Sequence, residues 1–170
     1  MAARGVHFAL TDAQQTDLLS LRSDEQRIEY VVRNIEEIWD DENLVETDKA
    51  WDGIHRSLCE SSPGIPFDEV NHYGAYPLKL CIHGGRKILD DEGSYIIRLI
   101  EASEVADLAK ALKDFTEEGF AKRYWTHCKD AWPEFGQEDL EYTWEYFVGL
   151  RGFFLATALK NRSVIFTADQ

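Results

Sequence analysis

The sequence predicts one α/β domain over residues 1–170, a mixed sheet with helices packed on it. Three observations lead there. Strand and helix signals interleave along the chain. No repeat, low-complexity tract or linker divides it. Hydrophobic residues make up 44%, and five Trp, seven Tyr and nine Phe supply bulk for one core rather than two small ones.

Each element has a local reason. Residues 5–10 alternate Val6, Phe8 and Leu10 with His7 and Ala9, a strand pattern. Thr11 with Gln14, and Ser23 with Gln26, are capping boxes that open two helices. The first helix runs to about Leu19. In the second, Ile28, Val31, Val32, Ile35 and Trp39 share a stripe, so the carboxylates around them occupy the outer face and the loop behind it. Residues 48–58 read as a helix with Trp51, Ile54, His55 and Leu58 on its inner face. Pro63, Gly64, Pro66 and Gly74 mark residues 60–74 as a loop. Leu78, Leu80 and Ile82 alternate as a strand that ends at Gly84-Gly85. Asp90-Asp91-Glu92-Gly93 is a turn before the strand 95–100. Ser103 caps a helix with core face Val105, Leu108, Ala109, Leu112 and Phe115. Another helix runs from Thr116 to about His127. After Pro133 and Gly136, a long helix over 138–160 carries Leu140, Trp144, Phe147, Val148, Phe154, Leu155 and Ala158. Gly149 and Gly152 inside it suggest close packing against a neighbour. Residues 163–167 form a final buried strand on Val164, Ile165 and Phe166.

Three segments, 48–58 (DKAWDGIHRSL), 80–89 (LCIHGGRKIL) leading into 95–112, and 142–170 with its closing GLRGFF and VIFTADQ, resemble the bacterial YfbM-like family, catalogued as a domain of unknown function. The resemblance implies a small three-layer α/β sandwich. It brings no catalytic residues. It also implies a role, because relatives sit among proteins proposed as immunity or accessory factors in bacterial conflict systems.

Charge narrows the partners. With 32 acidic against 18 basic residues the net charge is −14, which repels phosphate backbones and anionic headgroups; nucleic acid and membrane are not expected partners. No apolar run is long enough to span a bilayer. The N-terminal MAARGVHFAL lacks the apolar core of a signal peptide, so the expected location is the cytoplasm. Cys59, Cys81 and Cys128 show no CxxC spacing and are expected to be reduced, buried thiols. Residues 24–48 hold ten carboxylates against Arg27 and Arg33. Such a patch suits a basic protein, and the expected contacts are Glu36, Glu37, Asp40, Asp41 and Glu42. The resulting expectation is a non-enzymatic immunity protein that neutralises a basic toxin domain. A solvated helix face is the plainer account of the same carboxylates.

No motif for a reaction class is present, and no cofactor is expected. His55 and Cys59, four residues apart, could ligate zinc or act as base and nucleophile. A closed zinc site needs four ligands, and no third catalytic group is evident, so no metal and no catalytic residue is assigned. His83-Gly84-Gly85-Arg86 could hold an anion on backbone N–H groups, although a tight hairpin turn is simpler. Asp40-Asp41-Glu42 and Asp90-Asp91-Glu92 lack the ligand spacing of an EF-hand and read as solvated turns. Trp125 and Trp132 are expected to be exposed in a groove. The alternative function is a small-molecule site or an enzyme with a pocket near Trp51, His55, His83 and Arg86.

Overall fold

A computed structural model of the chain describes residues 4–61, 73–91, 93 and 95–169. Five strands, β1 (Gly5–Leu10), β2 (Leu44–Asp48), β3 (Arg86–Lys87), β4 (Tyr95–Ile100) and β5 (Ser163–Asp169), form one sheet in the order β2-β1-β5-β4-β3. Six α-helices accompany them among the described residues: α1 (Asp12–Ser20), α2 (Asp24–Val31), α3 (Trp51–Cys59), α4 (Ala102–Leu112), α5 (Glu117–His127) and α6 (Gln137–Leu159).

The sheet separates two cores, which makes the fold a three-layer α/β sandwich. Val6, Phe8, Leu10, Ile97, Leu99 and Ile165 face α1 and α2 with Leu18, Val31 and Ile35. On the other face Ile96, Ile100, Val164, Phe166 and Ala168 meet α3 to α6. Successive strand side chains point to opposite faces, so one strand serves both cores. This is why all six residues of β1 are buried.

All four ladders are antiparallel, which corrects the expectation of a mixed sheet. Interleaved helices suggest parallel crossovers. Here, however, α1 and α2 lie between antiparallel neighbours β1 and β2, and α4 to α6 between antiparallel neighbours β4 and β5.

Local chemistry starts the helices as expected at two places. Gln14 N–H donates to Thr11 Oγ1 at 3.2 Å and Thr11 N–H to Gln14 Oε1 at 2.9 Å; Ser23 and Gln26 repeat the exchange. The second helix ends differently, in a π-helical turn Val32–Glu36. α4 starts earlier than expected: it is capped at Glu101, whose N–H donates to Glu104 Oε2 at 2.8 Å, rather than at Ser103.

Three further expectations are corrected. Residues 78–82 are not a strand, because Leu78–Cys81 is a 3₁₀ turn. Its alternation spans too few residues to tell a strand from a tight helix. Gly84 and Gly85 are required by close backbone approach rather than by a left-handed turn. A Cβ would fall 2.4 Å from Lys79 O at Gly84 and 2.7 Å from Leu99 O at Gly85. Residues 44–48, read as loop and helix start, are the edge strand β2.

In α6 the fully buried positions are Leu140, Thr143, Phe147, Leu150, Phe154 and Thr157. The alternating three-and-four spacing is a coiled-coil seam that includes two threonines, which a search for apolar residues passes over. Val148 is exposed. Gly149 and Gly152 do not pack closely, since the nearest atom to a Cβ at Gly149 is 3.9 Å away and Gly152 has nothing within 4 Å. The loop expected at 60–74 lies outside the described residues over 62–72, as do His72 and Glu92.

Candidate functional site

Two regions gather the residues singled out from the sequence. The first lies between the sheet and α3. His7 of β1 and Arg98 of β4 both pair with Phe166 of β5, so the three lie side by side on the face of the larger core. Trp51 and His55 lie on the buried α3, and His83 follows the 3₁₀ turn. Ring centroids are 4.9 Å apart for His55 and His83, 5.3 Å for Trp51 and His83, and 4.8 Å for His7 and Phe166. Trp51, His55 and His83 therefore converge as expected. Arg86 does not join them: it is exposed on β3, opposite Leu99. His7 and Arg98 complete the cluster instead.

This cluster is an interior. His7, His55 and His83 are each at most 4% exposed. His7 Nε2–H donates to the Cys81 carbonyl at 2.9 Å, and its Nδ1 meets no hydrogen-bond partner. Burial lowers the His7 pKa to about 4. Burial, followed by the nearby charges of His55, Arg98, His7 and Arg56, holds His83 well below the ordinary imidazole range. Both rings are neutral at pH 7.

His55 Nδ1 and Cys59 Sγ share a hydrogen bond at 3.5 Å, so the spacing of the sequence does bring them together. Burial pushes the Cys59 thiol up to about 12, however, and Cys81 well above its ordinary value. A thiol held protonated is a poor nucleophile and a poor metal ligand. Nearby, Arg56 Nε donates to both Asp52 carboxylate oxygens at 3.0 Å. Burial raises the Asp52 pKa against the pull of that arginine.

The second region is the rim after α2. Glu37, Asp40, Asp41 and Glu42 are exposed. Glu36 is different: its Oε1 accepts from Tyr95 O–H at 2.5 Å and Thr167 Oγ1–H at 2.8 Å, which ties it to the sheet. Asp40 Oδ1 accepts from Glu42 N–H at 3.2 Å and shapes the turn.

Between these carboxylates stand two residues that the sequence placed otherwise or passed over. Ile38 is 63% and Trp39 is 38% exposed. Trp39 has φ +48°, a left-handed backbone that costs an aromatic residue on the order of 1 kcal/mol. The ring of Phe8, edge-on at 6.1 Å, and the guanidinium of Arg4, 5.8 Å from its centroid, hold it there. Beside Ile38 a cleft of about 140 Å³ opens, with Phe8 and Ile35 on its apolar wall and Asn34, Asp40 and Arg162 on its polar one. Only the apolar stripe of α2 hinted at this surface. The last member of the stripe, Trp39, lies three residues past the π-helical turn and so emerges from the core.

Trp125, expected in a groove, is 41% exposed and stacks edge-on against Tyr124 and Phe135. Trp132 is half-buried and donates Nε1–H to Asp139.

Among the described residues no group of three His, Cys, Asp or Glu side chains is placed to hold a metal ion, and no helix is long and apolar enough to cross a membrane. The solved structure of YfbM from Escherichia coli, a protein of unknown function, is similar over 97% of this chain and 99% of its own, with 14% sequence identity and a TM-score of 0.65. That likeness bears on the fold alone. No curated protein matches. A family model described as a domain of unknown function (DUF1877) matches residues 1–167, and the chain belongs to that family.

Proposed function

We propose that the protein is a cytoplasmic, non-enzymatic binding protein that engages a basic polypeptide through the rim of Glu37, Asp40, Asp41 and Glu42. An immunity protein facing a basic toxin domain is the specific form of this reading. One observation carries it: two large apolar side chains, Ile38 and Trp39, stand exposed inside a run of carboxylates. Interfaces draw most of their binding energy from a few apolar or aromatic anchors, while surrounding charges select the partner and speed encounter. The strained backbone of Trp39 supports the reading, since strain of this kind concentrates where a surface is used. The cleft beside Ile38 has room for one partner side chain.

The test is capture on the immobilised protein in parallel with a variant carrying Glu37→Lys, Asp41→Lys and Glu42→Lys, and a second carrying Ile38→Asp. A basic polypeptide held in stoichiometric amount by the parent protein, released by salt and lost from both variants, is the expected result. Equal retention by all three proteins would remove the rim from the account.

A further inference from the structure

The sheet ends in two edges of opposite character. At one edge, β3 is two residues long, and both are exposed cations. Short, charged edges discourage further pairing. At the other edge, β2 runs for five residues, Leu-Val-Glu-Thr-Asp, with neither proline nor lysine. Its inner side is occupied: Ala9 N–H donates to the Asn43 carbonyl at 2.8 Å, and His7 pairs with Val45. Backbone groups alternate in direction along an antiparallel strand. Leu44 and Glu46 therefore turn their N–H and C=O groups outward, and no hydrogen bond among the described residues reaches them.

α6 approaches this edge. Gly149 has Val45 as its nearest neighbour, and further along Lys160 Nζ donates to Asn43 Oδ1 at 3.1 Å. Gly149 and Lys160 make these contacts and Gly152 does not, because the buried seam of α6 turns Gly152 away from the sheet. Gly149, Gly152 and Ala156 are exposed. Glycine is costly inside a helix, and no packing contact requires it at Gly152.

We propose that β2 is the docking edge for an extended basic segment of a partner polypeptide, which adds as a sixth strand. Main-chain hydrogen bonds to Leu44 and Glu46 would supply affinity in the manner of strand addition. The basic character of the segment rests on the acidic-rim reading. Glu37, Asp40, Asp41 and Glu42 precede the strand, while the neighbouring cations are engaged, Arg4 with Glu46 and both Lys160 and Arg162 with Asn43. A second copy of this chain is the wrong occupant, because two β2 edges would set Glu46 and the rim carboxylates of both copies against each other.

The test uses a labelled peptide of alternating lysine and valine, the same peptide N-methylated along one edge, and an alternating glutamate and valine peptide. The lysine peptide should bind, and it should protect the Leu44 and Glu46 amides from hydrogen exchange. N-methylation should weaken binding about tenfold, as loss of one or two hydrogen bonds would. Glu46→Pro removes an outward N–H without touching the β1 ladder and should weaken binding similarly, whereas Glu46→Gln should not. Undiminished binding of the N-methylated peptide, or of the lysine peptide to the Glu46→Pro protein, overturns strand addition and leaves the acidic rim as the attractor. No peptide binding at all, with a basic partner still captured by the rim, overturns strand addition alone; failure of both experiments overturns both readings.

Discussion

Glu36 and Glu37 are neighbours in sequence and opposites in role, and the contrast extends to the two regions that hold chemically distinctive side chains. Glu36 turns inward to Tyr95 and Thr167, while Glu37 stays in water. In the same way, the cluster of His7, His55, His83 and Trp51 is polar chemistry converted into core, whereas the rim around Ile38 and Trp39 is core-type chemistry left on the surface. Residue type alone would have ranked the histidines as the site. Burial reverses the ranking, because all three rings are enclosed away from a ligand and burial holds His7 and His83 below the ordinary imidazole range.

The sharpest way to break the comparison is to remove the ring that the cluster packs around. Phe166→Ala strips contacts from Trp51, His7 and His83 and is expected to cost about 3–5 kcal/mol in urea unfolding. A cost below about 1 kcal/mol would mean that the cluster is not structural. Acid titration comes next. An unfolded His7 binds a proton near pH 6.5 and the folded one only near 4, so stability from this residue is present above about pH 6.5. It falls as the pH drops through that window, by roughly 3 kcal/mol in total. His7→Gln should flatten the slope of stability against pH between 6.5 and 4, and an unchanged slope would locate the proton elsewhere.

Glu36→Ala leaves Tyr95 and Thr167 without their shared acceptor and should cost about 2 kcal/mol, against almost nothing for Glu37→Ala. Equal melting temperatures for the two variants would erase the distinction between inner and outer carboxylate. Gly152→Ala should stabilise the free protein by about 1 kcal/mol, since nothing lies where the Cβ would go. Smallest of all, Glu37→Lys, Asp41→Lys and Glu42→Lys together should shift stability by less than about 0.5 kcal/mol, which leaves any change in partner capture attributable to the surface.

Much of the fold was legible because its signals are local. The capping boxes at Thr11 and Ser23, the alternation in β1, the apolar run of β4, and the Pro133 and Gly136 break before α6 all depend on residues within a few positions of one another. The errors share a cause as well. Five residues at 78–82 alternate like a strand, but the first four form a 3₁₀ turn, and five at 44–48 show little pattern yet are β2. Runs this short take their conformation from the backbone they meet rather than from their own period. The threonines of the α6 seam were missed for a related reason, since only the packed neighbour shows that a hydroxyl residue sits at a core position.

The candidate site was half legible. Composition marked residues 24–48 as a patch, and helical spacing brought Trp51 and His55 to one face. The sequence by itself thus determined the starts of α1 and α2, the central strands, the charge and the family likeness, all of which follow from local spacing or from composition. Tertiary structure alone decided that His7 and Arg98 meet His83, that Arg86 stays apart, that Glu36 faces the sheet while Ile38 and Trp39 face water, and that β2 ends the sheet with an open edge. Those outcomes join residues tens of positions apart, and which of them become neighbours is settled by which faces the sheet and helices bury against each other.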